Sequence, residues 1–310
     1  MSRNNEEKIV VTGAGGFLGS NLVNMMTGKT GGFVYALSSR GNQLQQANQE
    51  KRVQYCHKED IFSTENEKIL KDAIVVNCAF PRNTSGSGMA DGLRYIQRLF
   101  DRAEECRAKA IINISSQSVY SQLREEPATE ETPVCLENSY AVGKYATELM
   151  LESTCKRAGI PYTNLRMASL IGPGFDQRIV NRLVKQAVVG KTLRVVSSNQ
   201  KFGFLDVEDA VRAILALLGV DIEQWKPVYN VGNEKEYHVE YIAQCIKNMF
   251  GRNGLPIPDI DVKSGEGFGS TGVAYRLLYE ETGFEPIVDL NTSIQRILDQ
   301  LQNVTDRNED

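Results

Sequence analysis

Histidine is scarce: His57 and His238 are the only two in 310 residues, and neither has a partner at metal-ligand spacing. That argues against a histidine-based metal centre, and both are read as structural. The six cysteines (Cys56, Cys78, Cys106, Cys135, Cys155 and Cys245) form no Cys-x-x-Cys, and several sit in apolar runs such as "VVNCAF". Reduced, buried thiols are expected, with no disulfide framework. No lysine/arginine block stands out and the net charge is -4, which argues against a nucleic-acid binder. The longest apolar stretch, "AVRAILALLGV", is far short of a membrane span. No signal-peptide pattern appears in "MSRNNEEKIVV", so a cytoplasmic protein without membrane association is the expectation. Internal repeats and low-complexity tracts are also absent.

What is present is an alternation. "KIVVTG", "GFVYALS", "RVQYC", "AIVVNCAF", "AIINISS" and "PYTNLRM" are nearly all apolar, as strands of a parallel sheet covered on both faces must be. Between them lie segments with helical spacing: "FLGSNLVNMM", "STENEKILKD", "GLRYIQRLFDRAEECRAK" and "SYAVGKYATELMLESTCKRAG". The series predicts an α/β fold with a doubly wound parallel sheet over residues 1–171. After "IGPGFD" the alternation loosens. Residues 172–304 are predicted to form a smaller, partly interleaved lobe with some segments returning to the sheet. It contains a helix in "RIVNRLVKQAVVG", a strand in "TLRVVSS", helices near 207–219 and 239–250, and a last helix in "LNTSIQRILDQLQ". "GRNGLPIPDIDVKSGEGFGSTG" reads as loop, and residues 305–310 as a disordered tail.

"VVTGAGGFLGS" places Gly13, Gly16 and Gly19 between the first strand and the first helix. Gly13 permits the tight turn, Gly16 lets backbone approach a pyrophosphate, and Gly19 lets helix pack on strand. In that context the pattern predicts dinucleotide binding. About twenty residues on, where a carboxylate would grip the ribose of NAD, stand Ser38, Ser39 and Arg40. Two hydroxyls and a guanidinium suit a 2′-phosphate, so NADP is favoured and NAD kept as the alternative.

The fifth strand ends in Ser115, Ser116 and Ser118, at the carboxyl edge where such sheets bind ligands. Tyr140 and Lys144 follow four residues apart on one helix face. A carbonyl that accepts hydride needs a proton donor at its oxygen. A free tyrosine is a poor one, its pKa being about 10, and a nearby ammonium improves it. Ser116 would hydrogen-bond the same oxygen, and Lys144 can reach the cofactor ribose.

With "TGAGGFLG", Asp60-Ile61, "VVNCAF", "SSQSVY", "YAVGK", "LRMASLIGPG", "LDVEDAVRAI", "YNVG" and "ETGFEP" in order, the chain resembles the extended short-chain dehydrogenase/reductase family of nucleotide-sugar epimerases, dehydratases and reductases. The resemblance implies a Rossmann cofactor domain, a substrate lobe and the triad Ser116, Tyr140 and Lys144. It implies cofactor contacts from Phe17, Leu18, Asp60, Ile61, Cys78, Ala79, Phe80 and Met167, besides the glycine loop, Tyr140 and Lys144. Phe80, Arg82, Met167, Ser116 and Ser118 would lie near the substrate. It also implies a homodimer formed through the helices at 89–107 and 139–157.

The departures concern substrate. The family's two diphosphate arginines are missing; Lys201-Phe202 and Lys263-Ser264 stand in those regions. Arg182, Lys201, Lys263 and Arg276 are the candidates to replace them. Gln117-Ser118 occupies the place of a dehydratase's Asp-Glu pair, which argues against dehydration. Two modes stay open: a 4-epimerase or a 4-ketoreductase acting on a nucleotide-activated sugar. Alternatives are a reductase of a non-nucleotide aldehyde or ketone and a non-catalytic NADP-binding scaffold. Asp209 is assigned helix N-terminal support.

Overall fold

A computed structural model describes residues 7–29, 32–41, 43, 52–81, 83–175 and 177–306. Seven strands form one sheet in the order β3-β2-β1-β4-β5-β6-β9: β1 (Lys8–Thr12), β2 (Phe33–Ser38), β3 (Val53–His57), β4 (Ile74–Asn77), β5 (Ala110–Ser116), β6 (Tyr162–Met167) and β9 (Val228–Val231). The first six are the apolar runs of the sequence, and β4 and β5 are buried along their whole length. That is the signature of a sheet covered on both faces. β1 pairs in parallel with β2 on one side and β4 on the other, so Thr12 lies beside both Leu37 and Asn77. The strand order reverses between β1 and β4, and ligands of such sheets bind outside the carboxyl ends at that point. The helices on this sheet include α1 (Phe17–Lys29), the short α2 (Glu67–Leu70), α3 (Gly86–Glu105) and α4 (Ser139–Ala158).

A smaller sheet is built on β8 (Leu193–Asp206). It is flanked by β11 (Ile260–Ser270) in parallel and β10 (Glu236–Tyr237) in antiparallel, and β7 (Ser169–Ile171) also pairs with it in parallel. Its helices are α5 (Ile179–Val188), α7 (Val239–Arg252), α8 (Arg276–Thr282) and α9 (Leu290–Asp306). The chain divides into two compact units. The first comprises Met1–Val119, Cys135–Arg166 and Ile214–Tyr229; the second comprises Tyr120–Val134, Met167–Ala213 and Asn230–Asp310. α6 (Val207–Leu218) runs from the second into the first. Each unit has its own core: Val75, Leu99, Phe100, Ile111 and Leu151 in the first, Val180, Phe204, Ile242, Ile246 and Ile294 in the second. Among the described residues no helix is long and apolar enough to cross a membrane.

Three segments differ from the sequence reading. "STENEKILKD" is one 3-10 turn (Thr64–Asn66) and the four-residue α2. No side chain caps α2, and the chain leaves it with Lys71 extended and Asp72 at positive φ. β8 is one strand of 14 residues joining "TLRVVSS" to "FGFLDV". The segment read as loop contains the 11-residue β11, paired with β8 from Ile260 to Ser270 around an irregularity between Ser264 and Phe268. Glycines hide it: a Cβ on Gly265 would run into the side chain of Val196, so no periodicity of side chains marks the strand. At the end of the chain α9 runs on to Asp306, two residues into the expected tail, and residues 307–310 lie outside those described.

Candidate active site

The glycine loop sits at the switch point. Gly13 has φ +65° and passes directly against the chain after β4; a Cβ there would lie 2.8 Å from the Ala79 nitrogen. A Cβ on Gly19 would collide with the Gly13 carbonyl oxygen, so helix and turn could not close. The Gly16 amide donates to Gly13 O (2.8 Å), and the Ala14 amide ties the loop to Leu37 O (3.0 Å).

At the end of β2, Ser38 is buried, and its Oγ accepts from the Arg40 amide (2.9 Å). The Arg40 guanidinium folds back to donate to Gly15 O (3.2 Å). Together these segments wall a cavity of about 670 Å³ lined by Gly13, Gly15, Gly16, Ser38, Ser39, Arg40, Cys78, Ala79 and Phe80. Its remaining wall, which includes Lys58, Asp91, Gly92 and Tyr95, was not singled out in the sequence. Lys58 lies 4.9 Å from the Tyr95 ring centroid, and the Tyr95 hydroxyl donates to Lys58 O (3.4 Å). A signal existed in "GSGMADG": glycines are costly inside a helix, and one of them, Gly92, would clash with Pro81 if it carried a Cβ.

Other expected cofactor residues are placed elsewhere. Asp60 accepts from the His57 amide (2.8 Å), and Ile61 is fully buried in the first unit's core. Leu18 is buried at the start of α1, and Met167 at the end of β6. Neither these four nor Phe17 line the cavity. Arg82 lies outside the described residues.

α4 begins one residue before Tyr140 because the Asn138 side chain caps it, accepting from the Ala141 amide at 2.9 Å. One turn on, Lys144 is 5% exposed, and its Nζ donates to Ile114 O (2.8 Å). The Phe80 ring stands edge-on to Tyr140, with centroids 5.4 Å apart at 82°, and lies 4.1 Å from the Lys144 ammonium. Gly143 makes that packing possible, since a Cβ there would lie 2.6 Å from the Met89 side chain and 3.1 Å from Phe80. Burial pushes the Lys144 pKa below the usual lysine value, and the charges of Tyr140, Cys78 and Glu148 oppose it. Burial pushes the neighbouring Cys78 thiol up to about 12. Ser116 accepts from both the amide (3.2 Å) and the hydroxyl (3.0 Å) of Ser118, so its own hydroxyl hydrogen is left to donate elsewhere. The structure therefore brings Phe80, Tyr140 and Lys144 together, and ties Ser116 to Ser118.

These features on a sheet of this order decide the matter together with a sequence match. The model of the NAD dependent epimerase/dehydratase family matches residues 9–232. The chain belongs to that family. Within it, the chain is 26% identical over 264 residues to the uncharacterized UDP-glucose epimerase YtcB of Bacillus subtilis, a match that covers 79% of this chain and 83% of the relative. It is 23% identical to a putative UDP-glucose 4-epimerase of Methanocaldococcus jannaschii, over 95% of this chain and 98% of that one. Among solved structures it resembles the UDP-glucuronic acid 4-epimerase of Bacillus cereus in complex with UDP-glucuronic acid and NAD (TM-score 0.80, 23% identity, 96% and 99% of the two chains). It also resembles the UDP-glucose 4-epimerase of Thermotoga maritima with UDP-glucose (TM-score 0.80, 20% identity, 96% and 99%). At such identities the structural likeness establishes the fold.

The family's dinucleotide fits the residues present. A loop that tolerates no Cβ at Gly13 opens onto the cavity, and the cations Arg40 and Lys58 line its wall.

The expected substrate cations of the second unit lie at its surface. Arg182 and Lys201 are exposed, and Arg276 is an exposed partner of Glu280 (2.9 Å). Lys201 pairs with Ser270 but Lys263 with Val196, five positions away along β8, so the two lysines do not converge. Asp209 does more than support a helix start. It is fully buried; its Oδ2 accepts from the Ile287 (2.9 Å) and Val288 (2.8 Å) amides, and its Oδ1 meets Arg212 at 2.6 Å.

Proposed function

We propose that this protein interconverts C4 epimers of a nucleotide-activated sugar, with Tyr140 as acid and base. The observation that carries this reading is the buried Lys144 ammonium on the same helix face as Tyr140, beside the strand that ends in Ser116. A nicotinamide dinucleotide supplies the hydride acceptor and donor. The loop at Gly13 and Gly16 and the first turn of α1 would hold its pyrophosphate. Tyr140 takes the proton of the C4 hydroxyl as hydride leaves the carbon, and returns it when hydride comes back to the opposite face. Lys144 provides positive charge beside the phenol oxygen while that proton is away. Ser116 donates to the reacting oxygen, a use to which its two acceptor bonds from Ser118 leave its hydroxyl free. The first unit thus binds the cofactor.

Support for the sugar nucleotide comes from the relatives, which include a UDP-glucose epimerase and enzymes solved with UDP-glucuronic acid and UDP-glucose. Gln117 and Ser118, in place of a carboxylate pair, favour epimerisation over dehydration. A second reading is an NADPH-consuming 4-ketoreductase. It is favoured by the end of β2, which carries Ser38, Ser39 and Arg40 rather than a carboxylate, and by Lys58 in the same cavity wall. We also assign α3 and α4, the latter with Val142 and Leu149 exposed, as the pairing surface of a homodimer. A monomer in light scattering at micromolar concentration would refute that assignment.

Mass spectrometry of the purified protein, followed by incubation with UDP-glucose, UDP-glucuronic acid and UDP-N-acetylglucosamine under NMR, tests the reading. Retained NAD and a C4 epimer formed without added cofactor are expected. Retained NADP with stoichiometric consumption of NADPH on a 4-keto sugar would install the second reading. Bound cofactor without turnover of any nucleotide sugar would overturn both.

A further inference from the structure

Three consecutive residues of β5 are each tied to a residue of α4. Asn113 Nδ2 donates to Thr147 Oγ1 (3.1 Å), Ile114 O accepts from Lys144 Nζ (2.8 Å), and the Ser115 hydroxyl donates to Glu148 Oε1. The next residue of the strand is Ser116. Thr147 closes the seam by donating to Lys144 O (2.7 Å). Behind it, Asn113 accepts from Asn77 (2.9 Å) and donates to Asn164 (2.9 Å), and Asn77 accepts from Thr12 (2.7 Å). One row of buried hydrogen bonds therefore crosses the sheet from β1 to β6 and ends on the helix that carries Tyr140 and Lys144.

Glu148 is the junction of this seam. Besides Ser115 it holds Arg166 of β6, with Oε1 3.0 Å from Nε and Oε2 2.7 Å from a terminal guanidinium nitrogen. Both side chains are more than nine-tenths buried, at 6% and 8% exposure. A buried ion pair gives little net stability over apolar residues of the same volume, so stability alone does not account for it. Its geometric effect is specific: a three-way tie of α4 to β5 and β6, one residue before Ser116 and one turn after Lys144.

We propose that Glu148 is a positioning residue for Ser116, Tyr140 and Lys144: through Ser115 and Arg166 it sets the register of α4 on β5, and its charge acts on the Lys144 ammonium. This rests on Tyr140 and Lys144 being the acid–base pair. The groups facing that ammonium are Tyr140 and Glu148 on its own helix, Cys78 and the Phe80 ring after β4, and Arg166 of β6 through Glu148. Tyr140, Cys78 and Glu148, in that order, oppose the effect of burial, and Glu148 is the carboxylate among them.

Lys144 reports on this arrangement without a substrate. In lysine-labelled protein its 13Cε resonance, assigned with Lys144→Arg, is titrated in the parent and in Glu148→Gln/Arg166→Met. The double variant removes both buried charges, so no guanidinium is stranded in the core. The Lys144 midpoint is expected to fall in the folded double variant, since the carboxylate that favours the ammonium is gone. An unchanged midpoint overturns the proposal. Ser115→Ala tests the strand side, and carries the test if the double variant does not fold. It should lower kcat at least about tenfold with KM nearly unchanged, the cost of a small misplacement, and Ser115→Thr should restore it. Parent-like kcat in Ser115→Ala also overturns the proposal. If the parent turns over no nucleotide sugar, the proposed function fails, while the Lys144 titration still decides this point.

Discussion

The two units bury charge for different ends. In the first, Lys144, Glu148 and Arg166 are buried between α4 and strands β5 and β6, next to Ser116 and Tyr140, the residues proposed above to carry the chemistry. In the second, Asp206 and Asp209 are buried at the start of α6, and what they hold is scaffold. Asp206 accepts from the Glu208 amide (2.9 Å) and from Ser293 of α9 (2.6 Å), while Asp209 clamps the chain at Ile287 and Val288. The motif "LDVEDAV" is therefore a clasp, although it belongs to the same ordered series as "YAVGK". In the first unit the buried charges are met by side chains and one carbonyl, Ser115, Arg166 and Ile114 O. In the second, backbone amides take up carboxylate oxygens of both aspartates.

The largest effect that tests this contrast is Tyr140→Phe. Turnover should fall at least about a hundredfold, the range of general acid–base catalysis, with cofactor affinity retained. A variant that turns over normally erases the distinction. Asp209→Ala should do the reverse. Two backbone amides and a guanidinium lose their acceptor, and denaturant unfolding should show a loss of about 3 kcal/mol. Cofactor affinity of the folded fraction, measured by fluorescence titration, should stay the same. Arg40→Ala probes the cavity rim: NADPH binding should weaken about tenfold, the worth of one charge-assisted contact, while NADH is little affected. Equal effects on both would remove the case for NADP.

The smallest effect concerns the thiols. Burial pushes Cys78 and Cys155 up to about 12 and Cys56 to about 11, so these stay protonated near neutrality, whereas Cys135 is exposed. Iodoacetamide at about pH 8 should label Cys135 first, read by peptide mass spectrometry. Labelling of Cys78 at a comparable rate would mean that the strand end after β4 is open to solvent.

The legible part of this protein is the part whose evidence is local. Strands β1 to β6 show as apolar runs, the glycine loop as a strand–turn–helix pattern, and α4 as a capped helix with Tyr140 and Lys144 on one face. The cavity is lined by Gly13, Gly16, Ser38, Ser39, Arg40, Cys78, Ala79 and Phe80, and Lys58 and Tyr95 join them from elements that carry no motif. In the second unit β11 was invisible because glycines leave no side-chain pattern. The substrate cations were unreadable because their convergence depends on register: Lys201 and Lys263 fall at different levels of one sheet.

By itself, then, the sequence determined the doubly wound sheet, the glycine turn between β1 and α1, and the placing of Tyr140 and Lys144 on one helix face. Each follows from spacings of a few residues, which hydrophobic burial and helix geometry translate directly into placement. Only the tertiary structure decided that Glu148 belongs with Ser115 and Arg166, that Asp209 holds residues 287 and 288, and that Phe80 packs against Tyr140 and Lys144. Those partners stand 18 to 79 positions apart. A buried carboxylate takes whichever donors the packed core brings to it, and no local pattern says which they will be.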